Sequence, residues 1–344
     1  MVSHDVEEKK SAWKGPVKRF AEMAGVGSAT VDRVLNQRSG VSKKTRERVL
    51  HALDTLSGGQ PDADGPLRLH LFCDSGSGFN SAMSCAEAET HCSLPDVQIH
   101  GHYIETHEME PQAFADSIEA AGTEADGIIL VAPDYPAINR AVRNLVDQGT
   151  PVVCLTTDLP NSGRSAYIGN DQHAAGSVAA HLIGKALPPE RNRILLVMSV
   201  PFRSQQEREM GFRSVLRSDF PHLLIEERVV SDDLHEHTYE LVSKYIEARG
   251  LPAAIYNVAG ANRGVARALQ QNGQAQNTLF IGHELTVFSQ ELLEQRRMDY
   301  VISHDFSNEL QTAIGWIRQS LAGTASTNPP NTPILIHTRF NCGL

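Results

Sequence analysis

Three observations predict an α/β protein in which a small all-helical N-terminal domain precedes two doubly wound parallel-sheet lobes. From residue 67 onwards, short apolar runs without strict alternation are separated by amphipathic stretches, the pattern of strands buried on both faces and joined by crossover helices. Ten such runs exceed one compact sheet, so two lobes with a cleft between them are expected. Before residue 57 the spacing is helical only, and the charge reverses there. Residues 9–56 carry eleven Lys and Arg against four Asp and Glu, whereas residues 57–344 sum to −14 within a chain of net charge −10.

The elements follow in order. Residues 1–15 show no periodicity and read as a disordered tail, and residues 16–57 read as three short helices. The first runs from Val17 to Ala24 and stops at Gly25. The second, Ser28 to Asn36, places Val31, Val34 and Leu35 at i, i+3 and i+4, one apolar face. The third starts after Ser42, a good N-cap, and buries Val49, Leu50, Leu53 and Leu56. Residues 58–66, within the stretch SGGQPDADGP, lack an apolar anchor and form a linker. The ten strand-like runs are LRLHLFC, VQIHGHYI, GIILV, PVVCL, RILLVM, LLIEERVV, AAIYNV, LFIGH, YVISH and PILIHTRF. They make residues 67–344 a two-lobed domain, lobe one about 67–166 with 304–322 and lobe two about 167–303 with 323–344. No internal repeat is visible.

Composition narrows the function. Five cysteines (Cys73, Cys85, Cys92, Cys154, Cys342), an odd number without C-x-x-C spacing, support neither a disulfide framework nor a zinc ribbon. No apolar run approaches the ~18 residues of a membrane span, and the N-terminal stretch is polar, so a cytoplasmic protein without a membrane partner is expected. DSGSGFNS places Gly76 and Gly78 after a predicted strand, but the third glycine of a dinucleotide fingerprint is replaced by Ser81. The His100/His102 and His235/His237 pairs lack a completing ligand set, and neither G-x-S-x-G nor H-E-x-x-H occurs. No enzyme, cofactor or metal is therefore expected.

The basic N-terminal segment has the form of a helix-turn-helix, whose second helix enters the major groove while the first braces it across the backbone. FAEMAGVGSATVDRVLNQRSGVSKKTRERVLHALDTL strongly resembles the N-terminal domain of the lactose-repressor (LacI/GalR) family, in the run AGV, the core TV-x-RVLN and GVS-x-KTRERV. The remaining chain resembles that family's effector-binding region, itself similar to periplasmic sugar-binding proteins, at PVVCLTTD, YIGNDQHAAGSVAAHLI, YNVAGANRGVARAL and FIGHE. The resemblance implies a transcriptional regulator, most simply a repressor, with a double-stranded DNA operator as partner. It implies that Ser28, Ala29 and Arg33 read bases, Arg33 being suited to a bidentate guanine contact. Thr30, Asn36, Ser42, Lys43, Thr45 and Arg46 resemble backbone-contacting positions. Two departures stand out. Asp32 puts a carboxylate near phosphate unless a cation pairs with it, and the linker lacks the hinge helix and leucine wedge that bend the operator in such proteins. Paired half-sites imply a homodimer.

In two-lobed α/β proteins ligands sit at the carboxyl ends of strands. That rule selects Asp74, Phe79 and Asn80 after the first run, Asp134 after the third, Thr156 and Asp158 after the fourth, and Tyr167 at the crossing between lobes. The second lobe adds Arg208, Asn257, Glu284 and His304. In the resembling family the arginine before the Gly-Phe pair, here Arg208, reaches a ligand oxygen. Carboxylates, amides, a guanidinium and an aromatic suit a sugar, polyol or sugar acid. Asp171 precedes a helical stretch, 172–187, as its N-cap. A sugar-binding protein without a regulatory role, or an NAD-dependent sugar-converting enzyme of the same two-lobed fold, is the competing function.

Overall fold

Val, Ile and Leu runs flanked by Gly, Pro and Asp give the chain its strands, and the observed bounds follow those runs closely. The computed structural model describes residues 26–35, 38, 41, 45–46, 49, 66–199, 202–271, 277–327 and 329–343. The chain divides into two compact units, 1–67 with 319–325 and 68–318 with 326–344. The expected tail, the first helix and the linker up to residue 65 lie outside the described residues. In the N-terminal unit, helix α1 (Ser28–Leu35) buries Val31 and Val34, the i and i+3 positions of its apolar face. Residues 45, 46 and 49 are helical, with Val49 buried.

The larger unit contains two sheets. The first is built from β1 (Leu67–Ser75), β2 (Val97–Glu105), β3 (Gly127–Val131), β4 (Val152–Leu155) and β5 (Ala166–Ile168), in the order β2-β1-β3-β4-β5. The second holds β6 (Arg193–Met198), β7 (Leu224–Val230), β8 (Ala254–Asn257), β9 (Leu279–His283), β10 (Tyr300–Ser303) and β11 (Leu335–His337), in the order β11-β10-β9-β8-β6-β7. The parallel part of the second sheet, β7-β6-β8-β9-β10, repeats the order of the first. This duplication leaves no trace as sequence similarity, because the topology depends on where apolar runs fall rather than on which residues fill them. Strand β5 is only three residues long and was not expected. It assigns Tyr167 and Ile168 to the first sheet. Strand β11 pairs antiparallel to β10.

Interior strands β3, β4 and β8 are buried along their whole length, as parallel strands covered on both faces must be. Edge strand β7 is mostly exposed and carries Glu226, Glu227 and Arg228, charges that discourage edge pairing. Helices α2 (Ser77–Ser93), α3 (Pro111–Gly122) and α4 (Pro136–Gln148) follow the first strands, α3 and α4 filling one face with Phe114, Ile118, Ile138 and Leu145. Helix α4 starts on Pro136 and stops at Gly149 with φ +100°, a conformation that favours glycine. Helices α5 (Gln172–Ala186), α6 (Arg203–Asp219), α7 (His235–Arg249), α8 (Asn262–Gln271) and α9 (Val287–Glu294) belong with the second sheet. Asp171 caps α5, its carboxylate accepting from Ala174 N at 2.9 Å. Helix α10 (Phe306–Leu321) returns to the first sheet, where Ile317 lies against Gly127. No described helix is long and apolar enough to cross a membrane.

Candidate effector cleft

In each sheet the order reverses beside its first strand, and ligands of open α/β sheets bind at such switch points. The loops after β1 and β4 on one side and after β6, β7, β8 and β9 on the other face each other across a cleft of about 820 Å³, its open mouth included. Five described non-glycine residues have left-handed backbone, and four of them, Thr156 (φ 57°), Asp233 (φ 66°), Ala261 (φ 53°) and Glu284 (φ 65°), line this cleft. Such conformations cost about 1–3 kcal/mol each and persist where the surrounding structure imposes them, as at binding sites.

The floor is a buried polar network. Helices α5 and α6 cross in backbone contact, because a Cβ on Gly176 would overlap the Arg208 carbonyl and one on Gly211 the His173 carbonyl. This crossing sets Gln172 and Arg208 side by side, Arg208 Nε donating to Gln172 Oε1 at 2.7 Å. Arg208 Nη1 donates to the Val258 carbonyl at 3.2 Å and Nη2 to Glu284 Oε1 at 3.0 Å. Gln172 Nε2 donates to the Thr156 carbonyl at 2.7 Å, which fixes the amide's orientation. His304 stands behind, its Nδ1 2.8 Å from Glu309 Oε1, which also accepts from Thr332 Oγ1 at 2.5 Å. Burial opposes charging of His304, while Glu309 and Glu284 outweigh it and raise its pKa. Its Nε2, however, faces two donors, Arg208 Nη2 and Gln172 Nε2, each at 3.2 Å. It must accept from them, so in this arrangement the geometry fits the neutral imidazole with its proton on Nδ1. Glu284 Oε2 is buried without a partner.

The opposite wall is set by Asp233, whose carboxylate accepts from Ser199 Oγ and from Gly260 N, both at 2.8 Å. Burial raises its pKa against these two hydrogen bonds. Gly76 lies against Asp233 and Gly78 against Thr286, so the glycine loop after β1 meets the second sheet's loops across the cleft. Phe79 stacks edge-on against Phe306 with ring centroids 5.0 Å apart. His235 stands edge-on to Phe288, and burial, then the nearby Arg263 cation, lowers its pKa.

Of the residues that strand-end reasoning selected, Phe79, Thr156, Arg208, Glu284 and His304 line the cleft, and the other six do not. Asp74 is still inside β1. Both its carboxylate oxygens are buried without a well-formed hydrogen bond, and burial, opposed by Thr106 and reinforced by Asp233, pushes it up to about 6. Asn80 lies within α2 and ties β1 to β2, donating to the Ser75 and Ile104 carbonyls. Asp134 accepts from Asn139 at the start of α4. Asp158 is held by Arg164, whose Nη2 lies 2.7 Å from it. Tyr167 donates its hydroxyl to the Asn170 carbonyl, and Asn257 braces the turn after β8 through Gly260 and Asn262. Asn80, Asp134, Asp158, Tyr167 and Asn257 are held within their own lobes, whereas Asp74 lies near enough to Asp233 of the other sheet's loops to feel its charge. Sequence reasoning missed Asp233, His235 and Arg263, and passed over His235 as a surface or core histidine. The loop after β7 was the available signal for Asp233 and His235. Among the described residues no group of His, Cys, Asp or Glu is arranged to hold a metal.

In the N-terminal unit, Ser28, Ala29, Thr30 and Arg33 lie on α1, with Thr30 half-buried and Arg33 exposed. Thr45 and Arg46 are helical and half-buried, and Arg46 Nη2 donates to the Arg38 carbonyl at 3.4 Å. Asn36, Ser42 and Lys43 lie outside the described residues. Asp32 has a cationic partner, Arg38 Nη1 at 3.2 Å.

Comparison with known proteins agrees with this architecture. The sequence profile of bacterial regulatory proteins of the lacI family matches residues 18–57, and that of the periplasmic binding protein domain matches residues 98–325. The chain is 25% identical over 219 residues to the ABC transporter periplasmic-binding protein YphF of Escherichia coli, covering 59% of this chain and 65% of that protein. It is 30% identical over 194 residues to the HTH-type transcriptional regulator MalR of Streptomyces coelicolor, covering 50% of this chain and 53% of that one. The chain thus spans less than two thirds of the length of either relative. Among solved structures, an ABC transporter solute-binding protein from Burkholderia graminis in complex with D-arabinose superposes with a TM-score of 0.74 at 17% identity, over 82% of this chain and 98% of that one. The chain belongs to the periplasmic binding protein domain family and carries at its N-terminus the DNA-binding domain of the lacI family of bacterial regulatory proteins.

Proposed function

We propose that the chain is a sequence-specific DNA-binding transcriptional regulator, a repressor, whose operator affinity is set by a small carbohydrate-like effector bound in the cleft. The observation that carries the reading is the union in one chain of a lacI-family segment at 18–57 with a cleft floored by buried, oriented polar groups. Glu284 Oε2, a buried acceptor without a partner, suits a ligand hydroxyl, and Phe79 and Phe288 suit sugar C–H faces. The arabinose in the solved neighbour supports this ligand class. Ser28, Ala29 and Arg33 read bases in this account, and Thr30, Asn36, Ser42, Lys43, Thr45 and Arg46 set the register on phosphate. Two chains pair to present two half-sites. The effector acts only through differential affinity for the DNA-competent and DNA-incompetent arrangements.

A transport-type sugar-binding role is the second reading, favoured by the match to YphF. Selection of bound sequences from random duplex DNA separates the two. A regulator enriches a two-fold-related motif and loses it on removal of residues 1–60 while retaining sugar binding; a transport protein enriches none.

A further inference from the structure

Beside the cleft, sharing His235, Arg263 and Phe288 with it, lies a second cavity of about 970 Å³, its open mouth included, that also reaches Arg267 and Arg297. The arginines differ in how their charge is answered. In the cleft, Arg208 is held by Glu284 and three further partners, and in the chamber Arg267 pairs with Glu236 at 2.6 Å. Arg263 lies over the Phe288 ring, 4.5 Å from its centroid, and among the described residues its guanidinium makes no hydrogen bond or ion pair. Arg297 Nε is buried without a partner, as is Nδ1 of His235 at the junction. Glu291 also lines the chamber, so with Glu236 two carboxylates face three guanidinium groups and the formal balance is one positive charge. Helices α7 and α8 both begin at this junction, and their N-termini add partial positive charge.

We infer that this chamber receives the anionic end of the effector: the ligand is a sugar carrying a terminal phosphate or carboxylate, its hydroxyls at the Glu284 floor and its anion against Arg263, with Arg297 behind. The inference rests on the effector reading of the cleft. Its physical basis is the contrast between a floor whose arginine is already neutralised and a side chamber whose arginines have donors to offer. A neutral sugar uses the first and has nothing to place in the second. Anions are bound most strongly by guanidinium donors in such recesses, and the contribution is screened by salt.

The test uses the full chain, with binding followed by thermal shift and calorimetry for glucose, glucose 6-phosphate, gluconate and inorganic phosphate, in the wild type and in Arg263→Ala and Arg297→Gln. At least one anionic sugar should bind about tenfold or more tightly than glucose. That advantage should shrink with added salt and disappear in Arg263→Ala, with circular dichroism verifying that the variant is folded. Preference for phosphate over carboxylate, or the reverse, identifies the anion. Glucose binding equal to that of both anionic sugars, unaffected by Arg263→Ala, overturns the chamber while leaving the sugar reading intact. Inorganic phosphate protecting through Arg263 with no added gain from any sugar supports an anion site and overturns the sugar reading. Absence of any response from phosphate and both anionic sugars overturns the inference.

Discussion

Gly176 on α5 and Arg208 on α6 touch backbone to backbone, since a Cβ on the glycine would overlap the arginine's carbonyl oxygen. The cleft's guanidinium is placed by a helix crossing that tolerates no side chain at position 176. Gly176→Ala should therefore cost about 1–3 kcal/mol, the range of overpacked cores, and weaken effector binding as Arg208 moves from Gln172. Urea denaturation with ligand titration checks both. Unchanged stability would mean that the helices separate freely.

The Arg208–Glu284 pair is buried, 6% and 11% exposed in its side chains, so removing one partner strands the other's charge. Glu284→Ala should destabilise the two-sheet unit by about 3–5 kcal/mol. Arg208→Met combined with Glu284→Ala should recover much of that loss, because neither charge is then left unpaired. Additive losses in the double-mutant cycle would contradict the coupling.

Asp74 gives a pH dependence with a definite sign. Its folded pKa of about 6 lies above the usual 3.8, so the folded state holds this proton more tightly than the unfolded chain. The stabilisation is complete below about pH 4 and is lost as pH rises through 6. Asp74→Asn should match the wild type near pH 4 and exceed it by up to about 3 kcal/mol at pH 8. Thermal midpoints across that interval read the difference. A variant that is weaker at pH 8 would instead give the ionised carboxylate a partner in solution.

Much of this was legible in the sequence. Runs such as GIILV and LFIGH became strands with the expected bounds, because burial on both faces leaves a local signature. Strand β5 was not legible, since Ala166–Ile168 is too short to show a period and is strand only by pairing with β4. At the site, the strand-end rule located the right loops but not the direction of side chains. It gave Asp74 and Asn80 the same weight as Phe79, and only the structure shows that Asn80 is tied to its own lobe and that Asp74, still within β1, does not line the cleft. Asp233 and Glu284 owe their place to left-handed backbone that ordinary residues adopt only when tertiary contacts impose it.

On the N-terminal unit, Arg38 partly answers the charge of Asp32, the residue that sat awkwardly near phosphate in the sequence. Asp32→Asn should therefore tighten DNA binding only by about two- to fivefold, uniformly across sequences, the scale of exposed charge pairs. Arg33→Ala should relax preference at one base pair per half-site by about 1–3 kcal/mol. Fluorescence anisotropy on single-base operator variants distinguishes them, and a uniform loss for Arg33→Ala would make it a phosphate contact.

The most direct test of the central claim is a titration of selected operator DNA with the full chain, with and without a saturating cleft ligand, in the wild type and in Arg208→Ala. The account predicts that the ligand changes wild-type operator affinity by about tenfold or more, a coupling of about 1.4 kcal/mol or more. Arg208→Ala should retain DNA binding and lose the response. Tight ligand binding that leaves operator affinity unchanged would contradict the account.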